Sequence, residues 1–392
     1  MALFLENCVL GKANIIVCGG TGSGKTTFLR NLYQRGMKRM IILAPTGVAA
    51  MNAGGTTIHS FFQLPLSPFV PDTKFRTNDS NAQRRFKFSK EKRAIIRSLD
   101  LLVIDEISMV RADLLDAIDQ VLRRFRTDHH SPFGGVQLLL IGDLAQLAPV
   151  VTERDKEILR DYYDTPFFYG SKALQITPYV SIELTKVFRQ TDVHFLNILN
   201  EIRSGNVKQE TIEKLNERHQ PEAENTAGYI RLTTHNRTAD NYNQQMLDDI
   251  SNKEFTYKCK VEGDFPSNLY PIDEELRLKE GAQVMFCKND TSAEHMYYNG
   301  KIAEVIELEK DKIVVQCLED DEIVEVPQHE WTNSKYTLDS NTHEIVEDIQ
   351  GRFVQFPLRL AWAITIHKSQ GSEFPHVIMP VCRSYHIMLY NK

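Results

Sequence analysis

Short, unbroken apolar runs separated by amphipathic stretches set the frame of this chain. Residues 14–19 (NIIVCG), 40–44 (MIILA), 101–105 (LLVID) and 137–142 (QLLLIG) are apolar nearly throughout and end in small or acidic residues. Helical patterns lie between them, such as 25–35 and 112–125. A strand buried on both faces reads as a continuous apolar run, so this alternation predicts a parallel sheet covered by helices on both sides. A second series, 181–184, 229–233, 360–365 and 377–379, predicts a second α/β lobe. Two segments break the rhythm. Residues 65–92 carry prolines and then the basic run QRRFKFSKEKR, which reads as an insertion in the first lobe. Residues 258–346 hold short alternating runs (AQVMFC, IAEVIEL, DKIVVQCL, EIVEV) between Gly and Asn-Asp turns. That pattern predicts an antiparallel β-module, a small barrel, inserted in the second lobe.

Composition narrows the classes without choosing among them. The 392 residues are 42% hydrophobic and 25% charged, which excludes a disordered or fibrous chain. Lys and Arg number 46 against 52 Asp and Glu, a net charge of −6 that excludes a uniformly basic nucleic-acid coat but leaves room for a local basic channel. No run approaches the roughly 20 apolar residues that span a bilayer, and no secretory signal is evident. The expectation is a protein with no membrane partner, not secreted, in the cytoplasm (at a bacterial nucleoid) or in a nucleus or mitochondrion. Cys8, Cys18, Cys259, Cys287, Cys317 and Cys382 include no C-x-x-C pair, so they read as reduced, small apolar residues rather than zinc or redox ligands.

Four motifs carry chemistry. Residues 19–26 (GGTGSGKT) satisfy G-x-x-x-x-G-K-[ST] between an apolar strand and a helical stretch, the context this phosphate loop requires. Glycines let backbone N–H groups close around phosphate oxygens, and the following helix N-terminus adds partial positive charge. Gly20, Gly22, Ser23, Gly24, Lys25, Thr26 and Thr27 form the candidate nucleotide set, with Lys25 reaching the β- and γ-phosphates and the Thr26 hydroxyl on Mg²⁺. Asp105 and Glu106 end a buried strand as adjacent carboxylates. Asp105 is the candidate Mg²⁺ ligand and Glu106 the base that activates water. Gln146, in GDLAQLAP at the end of the fourth strand, could contact both the γ-phosphate and the attacking water, although a plain polar loop residue would read the same. Arg189, in the segment FRQ that opens the second lobe, could stabilise charge on the γ-phosphate when the cleft closes.

The stretches GGTGSGKTT, APTGVAAMNAGGTTIHSFF, LLVIDEISMV, GDLAQLAPVV, LTKVFRQTD, RLTTHNRTADNYN and LAWAITIHKSQGSEF resemble, in order and spacing, one group. It is the superfamily 1 DNA helicases of the 5′-to-3′ branch, specifically the Pif (petite integration frequency) type. The resemblance spans residues 19–374. It implies an α/β P-loop NTPase of two RecA-like parallel-sheet lobes, with a small insertion in lobe one and a small β-barrel in lobe two. The lobes would be 1–178, with a wedge-like insert at 65–92, and 179–257 with 347–392, and an SH3-type barrel would occupy 258–346. It further implies ATP and Mg²⁺ between the lobes and single-stranded DNA across them, with junctions between single and double strands as targets. The chain would act as a monomer or as a dimer on DNA. Carried over residue by residue, Gln146 senses the γ-phosphate, Arg189 acts as an arginine finger, Phe188 stacks on adenine, Glu373 lies near the ribose, and Gly371 joins the nucleotide-binding set. The DNA set would be Pro45, Thr46, Thr57, His59, Thr234, His235, Asn236, Thr365, His367, Lys368 and Ser369. Thr, Asn, His and backbone groups suit phosphate and sugar contacts that ignore sequence, and His59 and His367 could also stack on bases.

Three features depart from the group's pattern. Its T-R-A-K motif is not among these 392 residues, so slower ATP turnover is expected of this chain. The Gln that reads adenine has no counterpart before Gly11. Ala145 and Ala148 stand where a larger residue and Pro are usual, which would loosen loop contacts with DNA. Two other readings fit parts of the chain. One is a hexameric secretion-type ATPase, from residues 13–32 alone, in which 234–236 and 365–369 would have no DNA role. The other is a DNA-binding module with weak hydrolysis.

Overall fold

The computed structural model describes residues 7–20, 22–65, 67–70, 88–188, 192–219, 228–290, 292, 294–339, 345–369, 374 and 376–379. Most of the basic insert, residues 71–87, lies outside the described residues, as do Arg189, Gly371 and Glu373. The chain divides into two compact units, Met1–Arg218 with Lys335–Asp348, and His219–Ser334 with Ile349–Lys392.

The first unit is built on a parallel sheet of six strands: β1 (Asn14–Gly19), β2 (Met40–Ala44), β3 (Thr56–Thr57), β4 (Leu101–Ile104), β5 (Gln137–Gly142) and β6 (Tyr179–Leu184), in the order β3-β2-β4-β5-β1-β6. The unbroken apolar runs have the cause inferred for them, because successive side chains enter two different cores. Ile41, Leu43, Leu102, Ile104, Leu138 and Leu140 enter one, and Met40, Ile42, Leu101, Val103, Leu139 and Ile141 the other. The covering helices are α1 (Lys25–Gln34), α2 (Gly47–Ala53), α3 (Ile58–Phe62), α4 (Lys90–Ser98), α5 (Ala112–Phe125), α6 (Glu153–Leu159) and α7 (Lys172–Gln175). Helix α5 is fixed by its inward-facing Asp116. This buried carboxylate accepts hydrogen bonds from Tyr163 Oη at 2.8 Å, the Ser171 hydroxyl and the backbone N–H groups of Lys172 and Ala173 at 3.1 and 3.0 Å. Helices α8 (Val193–Ser204) and α9 (Gln209–Asn216) complete this unit, together with Lys335–Asp348, whose Tyr336 packs its ring edge 6.2 Å from Phe61.

The second unit contains a three-stranded parallel sheet of β7 (Ile230–Thr233), β18 (Ala363–Thr365) and β19 (Val377–Ile378) in the order β18-β7-β19, covered by α10 (Asn236–Asp249). The remainder is antiparallel. Strands β11 (Gln283–Phe286), β12 (Ile302–Leu308), β13 (Ile313–Cys317), β14 (Ile323–Glu325) and β17 (Leu358–Leu360) form a five-stranded sheet ordered β14-β13-β12-β11-β17. Beside it, β8 (Phe255–Lys258) pairs with β10 (Glu275–Leu278), and β9 (Lys260–Gly263), β15 (His329–Leu338) and β16 (Ile345–Gln355) form a third sheet. The fold is therefore α/β, with RecA-like parallel sheets and an added antiparallel module.

Three boundaries differ from the sequence expectations. The strand at 181–184, expected to open the second lobe at 179, pairs along its full length with β1 of the first unit, Asn14 against Tyr179 through Gly19 against Leu184. An apolar run states that a strand is buried, not which sheet takes it. The run 360–365, expected as one strand, is two: β17 pairs antiparallel with β11, and β18 pairs parallel with β7, with a break at Ala361 and Trp362. The antiparallel module is accordingly wider than 258–346, because β8 starts at Phe255 and β16 and β17 continue to Leu360. Among the described residues no helix is long and apolar enough to cross a membrane, and Cys8, Cys18, Cys259, Cys287 and Cys317 are free thiols.

Candidate nucleotide site and nucleic-acid contact residues

The described candidate residues of the first unit gather at or beyond the C-terminal ends of its strands, where open parallel sheets bind ligands. Strand β1 ends at Gly19, runs through the glycine-rich loop and enters α1 at Lys25. Gly24 has φ 92°, a left-handed geometry that only glycine takes without strain, and no side chain caps the helix behind it. No acidic residue stands in the first turn of α1 either. The N–H groups of this helix start are therefore left for an anion. The hydroxyl of Ser23 is buried in the loop with no hydrogen-bond partner among the described residues. Such an orphaned donor is costly unless a ligand satisfies it.

The Lys25 ammonium turns back onto the loop and donates to the carbonyls of Gly19 and Gly20 at 2.7 and 3.0 Å. Burial pushes its pKa below that of a free lysine, an effect opposed by the nearby charges of Asp143, Glu106 and Asp105 and reinforced by Arg203. Thr26 and Thr27 stand exposed in the first turn of α1.

Strand β4 stops at Ile104, so Asp105 and Glu106 are loop residues rather than neighbours on a pleat. Asp105 accepts the Glu106 N–H at 3.0 Å, and Glu106 adopts φ 51°, ψ 45°. That left-handed geometry costs a non-glycine residue about 1–2 kcal/mol. Burial raises both carboxyl pKa values, and Glu106, further raised by Asp105, reaches about 7. A carboxylate at about 7 is matched to proton abstraction near neutrality.

Beyond β5, the loop 143–148 is folded around a buried Asp143. Its carboxylate accepts the Ala145 N–H at 3.1 Å and the Gln146 side-chain amide at 3.3 Å, and its carbonyl accepts the Gln146 N–H at 3.0 Å. The same carboxylate pairs with Arg203 of α8 at 3.3 Å. Neither Asp143 nor Arg203 was singled out from sequence. Asp143 was read only as part of the Gln146 motif. Arg203 lies at the end of an ordinary amphipathic helix with no motif spacing to mark it. Phe188 is tied to the site by its backbone, whose N–H donates to the Gly22 carbonyl at 2.9 Å, while its ring is 66% exposed with the Lys186 ammonium 4.9 Å from the ring centre.

The nucleic-acid candidates of the first unit follow β2 and β3. Thr46 accepts the Ala49 N–H at 3.2 Å and Thr57 the Ser60 N–H at 3.2 Å, each capping a short helix. A capping hydroxyl still has its own O–H to donate outward. Pro45 and His59 are half-buried beside them. Burial, aided by Arg111 and opposed by Asp113, lowers the His59 pKa, so its ring is neutral at physiological pH. His59 thus suits stacking or a neutral hydrogen bond rather than a phosphate ion pair.

The candidates of the second unit gather at the ends of β7 and β18, adjacent parallel strands. Thr234 Oγ1 lies 2.7 Å from His235 Nδ1, and Thr365 Oγ1 donates to Asn236 Oδ1 at 3.5 Å. Thr365 also caps the turn that carries His367 and Lys368, accepting the Lys368 N–H at 3.4 Å, and Ser369 donates to the Ile366 carbonyl at 2.9 Å. His235, Asn236, His367 and Lys368 are exposed. Sequence reasoning missed the residue that aligns these strands. Asn243 of α10 receives the Ala363 N–H at 2.7 Å and donates to the Ala363 carbonyl at 2.9 Å, clamping β18 through both backbone polar groups of one residue.

The donor set fits Mg²⁺ and a nucleoside triphosphate: an orphaned hydroxyl, a basic side chain folded onto the loop, and two carboxylates facing the same edge. Among the described residues no group of three or more His, Cys, Asp or Glu could hold a metal ion alone.

Sheet order, phosphate loop and strand-end carboxylates define a P-loop NTPase with RecA-like sheets. The profile of the PIF1-like helicase family matches residues 5–213, more than half of the chain, and this protein belongs to that family of ATP-hydrolysing DNA helicases. A UvrD-like helicase C-terminal domain profile matches residues 360–392. The ATP-dependent DNA helicase Pif1 of Bdellovibrio bacteriovorus is 31% identical over 367 residues, covering 92% of this chain and 76% of that protein. The crystal structure of Bacteroides sp Pif1 in complex with ADP-AlF4 has a TM-score of 0.87 at 37% identity, covering 99% of this chain and 88% of that one. The crystal structure of Bacteroides Pif1 bound to ssDNA has a TM-score of 0.63 at 37% identity over the same shares of both chains.

Proposed function

We propose that this protein uses ATP hydrolysis to move 5′ to 3′ along single-stranded DNA and to open duplex or structured DNA. The observation that carries the reading is the phosphate loop, where a buried Ser23 hydroxyl has no partner and the Lys25 ammonium is parked on two carbonyls 2.7 and 3.0 Å away. A triphosphate satisfies both at once. Thr26 and Asp105 would hold Mg²⁺, which would supply positive charge against the phosphates when bound. Gln146 orients the attacking water and Glu106 takes its proton. The water oxygen bonds to the γ-phosphorus as the bond to the bridging oxygen breaks, and that oxygen leaves with ADP. Phe188 stacks on the base, Glu373 lies near the ribose, Gly371 joins the nucleotide-binding set, and Arg189 stabilises charge on the departing phosphoryl group.

Two separate donor groups support a stepping motor. Pro45, Thr46, Thr57 and His59 belong to the first unit. Thr234, His235, Asn236, Thr365, His367, Lys368 and Ser369 belong to the second. Alternating grip between them, timed by binding and hydrolysis, advances the strand, and sugar-phosphate contacts of this kind carry no sequence preference. Residues 65–92 serve as a wedge and the antiparallel module as a barrel that flanks the DNA. The protein works as a monomer on one strand, with a second copy joining on longer or forked DNA. The decisive variant is Lys25→Ala. Hydrolysis should fall to background while affinity for single-stranded DNA, measured by fluorescence anisotropy, stays within a few-fold. Unwinding that survives this substitution would refute the assignment.

A further inference from the structure

The phosphate loop has a second cation that neither the motifs nor the reading above uses. Arg203, near the end of α8, places Nη1 only 3.1 Å from where a Cβ on Gly20 would stand, so the guanidinium lies against the loop. Both of its ion pairs run through the other terminal nitrogen, Nη2, at 3.3 Å to Asp143 and 3.6 Å to Glu183. These separations exceed the roughly 2.7–2.9 Å of a strong charge-assisted hydrogen bond. Nη1, the nitrogen over Gly20, has no hydrogen-bond partner among the described residues. The positive charge is close enough to Lys25 to lower that lysine's pKa, so two cations share one loop. The carboxylates of Asp143, Glu106 and Asp105 offset the two charges, and the guanidinium, held by long contacts and with a donor to spare, is placed to take an anion on the loop.

We propose that Arg203 is a phosphate-contacting residue that distinguishes the triphosphate from the diphosphate. In the nucleotide-free protein it rests on Asp143. When a γ-phosphate is present, the guanidinium transfers to it, because a phosphate offers two short bidentate contacts where Asp143 offers one long contact. The transfer also releases Asp143, whose carboxylate and carbonyl hold Ala145 and Gln146. The loop carrying the γ-phosphate sensor is thereby told that the site is full. Glu183, with a side chain 64% exposed, is the weaker partner and serves only to keep the guanidinium near the loop. This inference rests on the nucleotide-site reading above and names one more residue of that site.

The test is binding of Mg²⁺-bound ADP and of a non-hydrolysable ATP analogue to the full chain, followed with a fluorescent nucleotide, in wild type, Arg203→Gln, Arg203→Lys and Lys25→Ala. Arg203→Gln should weaken the triphosphate analogue by about tenfold or more and leave ADP within about twofold, since loss of one charge-assisted contact acts only where the γ-phosphate is. Arg203→Lys should recover part of the loss, because a point charge replaces the fork. Retained ADP binding shows that the variants are folded. Equal loss of both nucleotides in the Arg203 variants would reduce the residue to a structural prop and overturn the inference, as would unchanged affinity for both. Lys25→Ala separates the two claims. If it leaves nucleotide affinity untouched, the site itself is misassigned and Arg203 falls with it. If it abolishes binding while Arg203→Gln does not discriminate, only the role of Arg203 is lost.

Discussion

Glu106 combines two penalties that a loop carboxylate at the surface would avoid. Its backbone holds a left-handed conformation at φ 51°, and burial with Asp105 alongside lifts its pKa to about 7. A carboxyl group whose folded-state pKa lies above its unfolded value of about 4.5 binds its proton more tightly in the folded protein. The stability it confers is complete below about pH 4.5 and is lost as the pH rises towards 7. Glu106→Gln should therefore raise the unfolding free energy of the nucleotide-free protein at pH 8, read from urea titration, by about 2 kcal/mol once partial solvation is discounted. At pH 4.5 the two proteins should coincide. A difference independent of pH would mean that the carboxylate is not held in a costly state. The same variant should bind ATP yet not hydrolyse it. Lys25, Asp105 and Glu106 could be proposed from the sequence because their spacing reports a chemical need that few other arrangements meet, whereas Gln146 reads there no differently from a plain polar loop residue. Arg203 and Asn243 could not, because their meaning comes from what folding sets beside them: Gly20 and Asp143 for the first, the Ala363 backbone for the second.

Among the elements, the four central strands β1, β2, β4 and β5 were readable to within a residue, since a run buried on both faces leaves a signature that nothing short of a core produces. The edge strand β6, most of whose residues are half-buried or exposed, carried no sign of its partner and was placed in the wrong lobe. The pair β17 and β18 looked continuous because Ala361 and Trp362 are as apolar as their neighbours, and apolarity cannot mark the point where a chain leaves one sheet for another. Strand β18 presents Thr365 and the turn with His367 and Lys368, and its position depends on the two hydrogen bonds between Asn243 and Ala363. Asn243→Ala should cost about 1–3 kcal/mol of stability by leaving the N–H and C=O of the buried Ala363 without their side-chain partner. In equilibrium binding it should weaken single-stranded DNA severalfold while leaving ADP affinity unchanged. DNA affinity equal to wild type would show that β18 does not position the contact residues.

For the molecule as a whole, the net charge of −6 means that long-range attraction does not hold it on DNA. Contact must come from a local set of donors, and such contact is useful to a motor only if it is coupled to the nucleotide. Coupling by linkage requires that DNA and ATP each favour the same state of the protein, so that either ligand strengthens the action of the other. A ring ATPase built on the same phosphate loop would have no such requirement, nor would a passive DNA-binding module. Steady-state ATP hydrolysis by the full chain, with and without a saturating single-stranded oligonucleotide, tests this coupling most directly. The rate should rise by about tenfold or more with the oligonucleotide and vanish in both conditions for Lys25→Ala. Hydrolysis at the same rate with and without DNA would contradict the account.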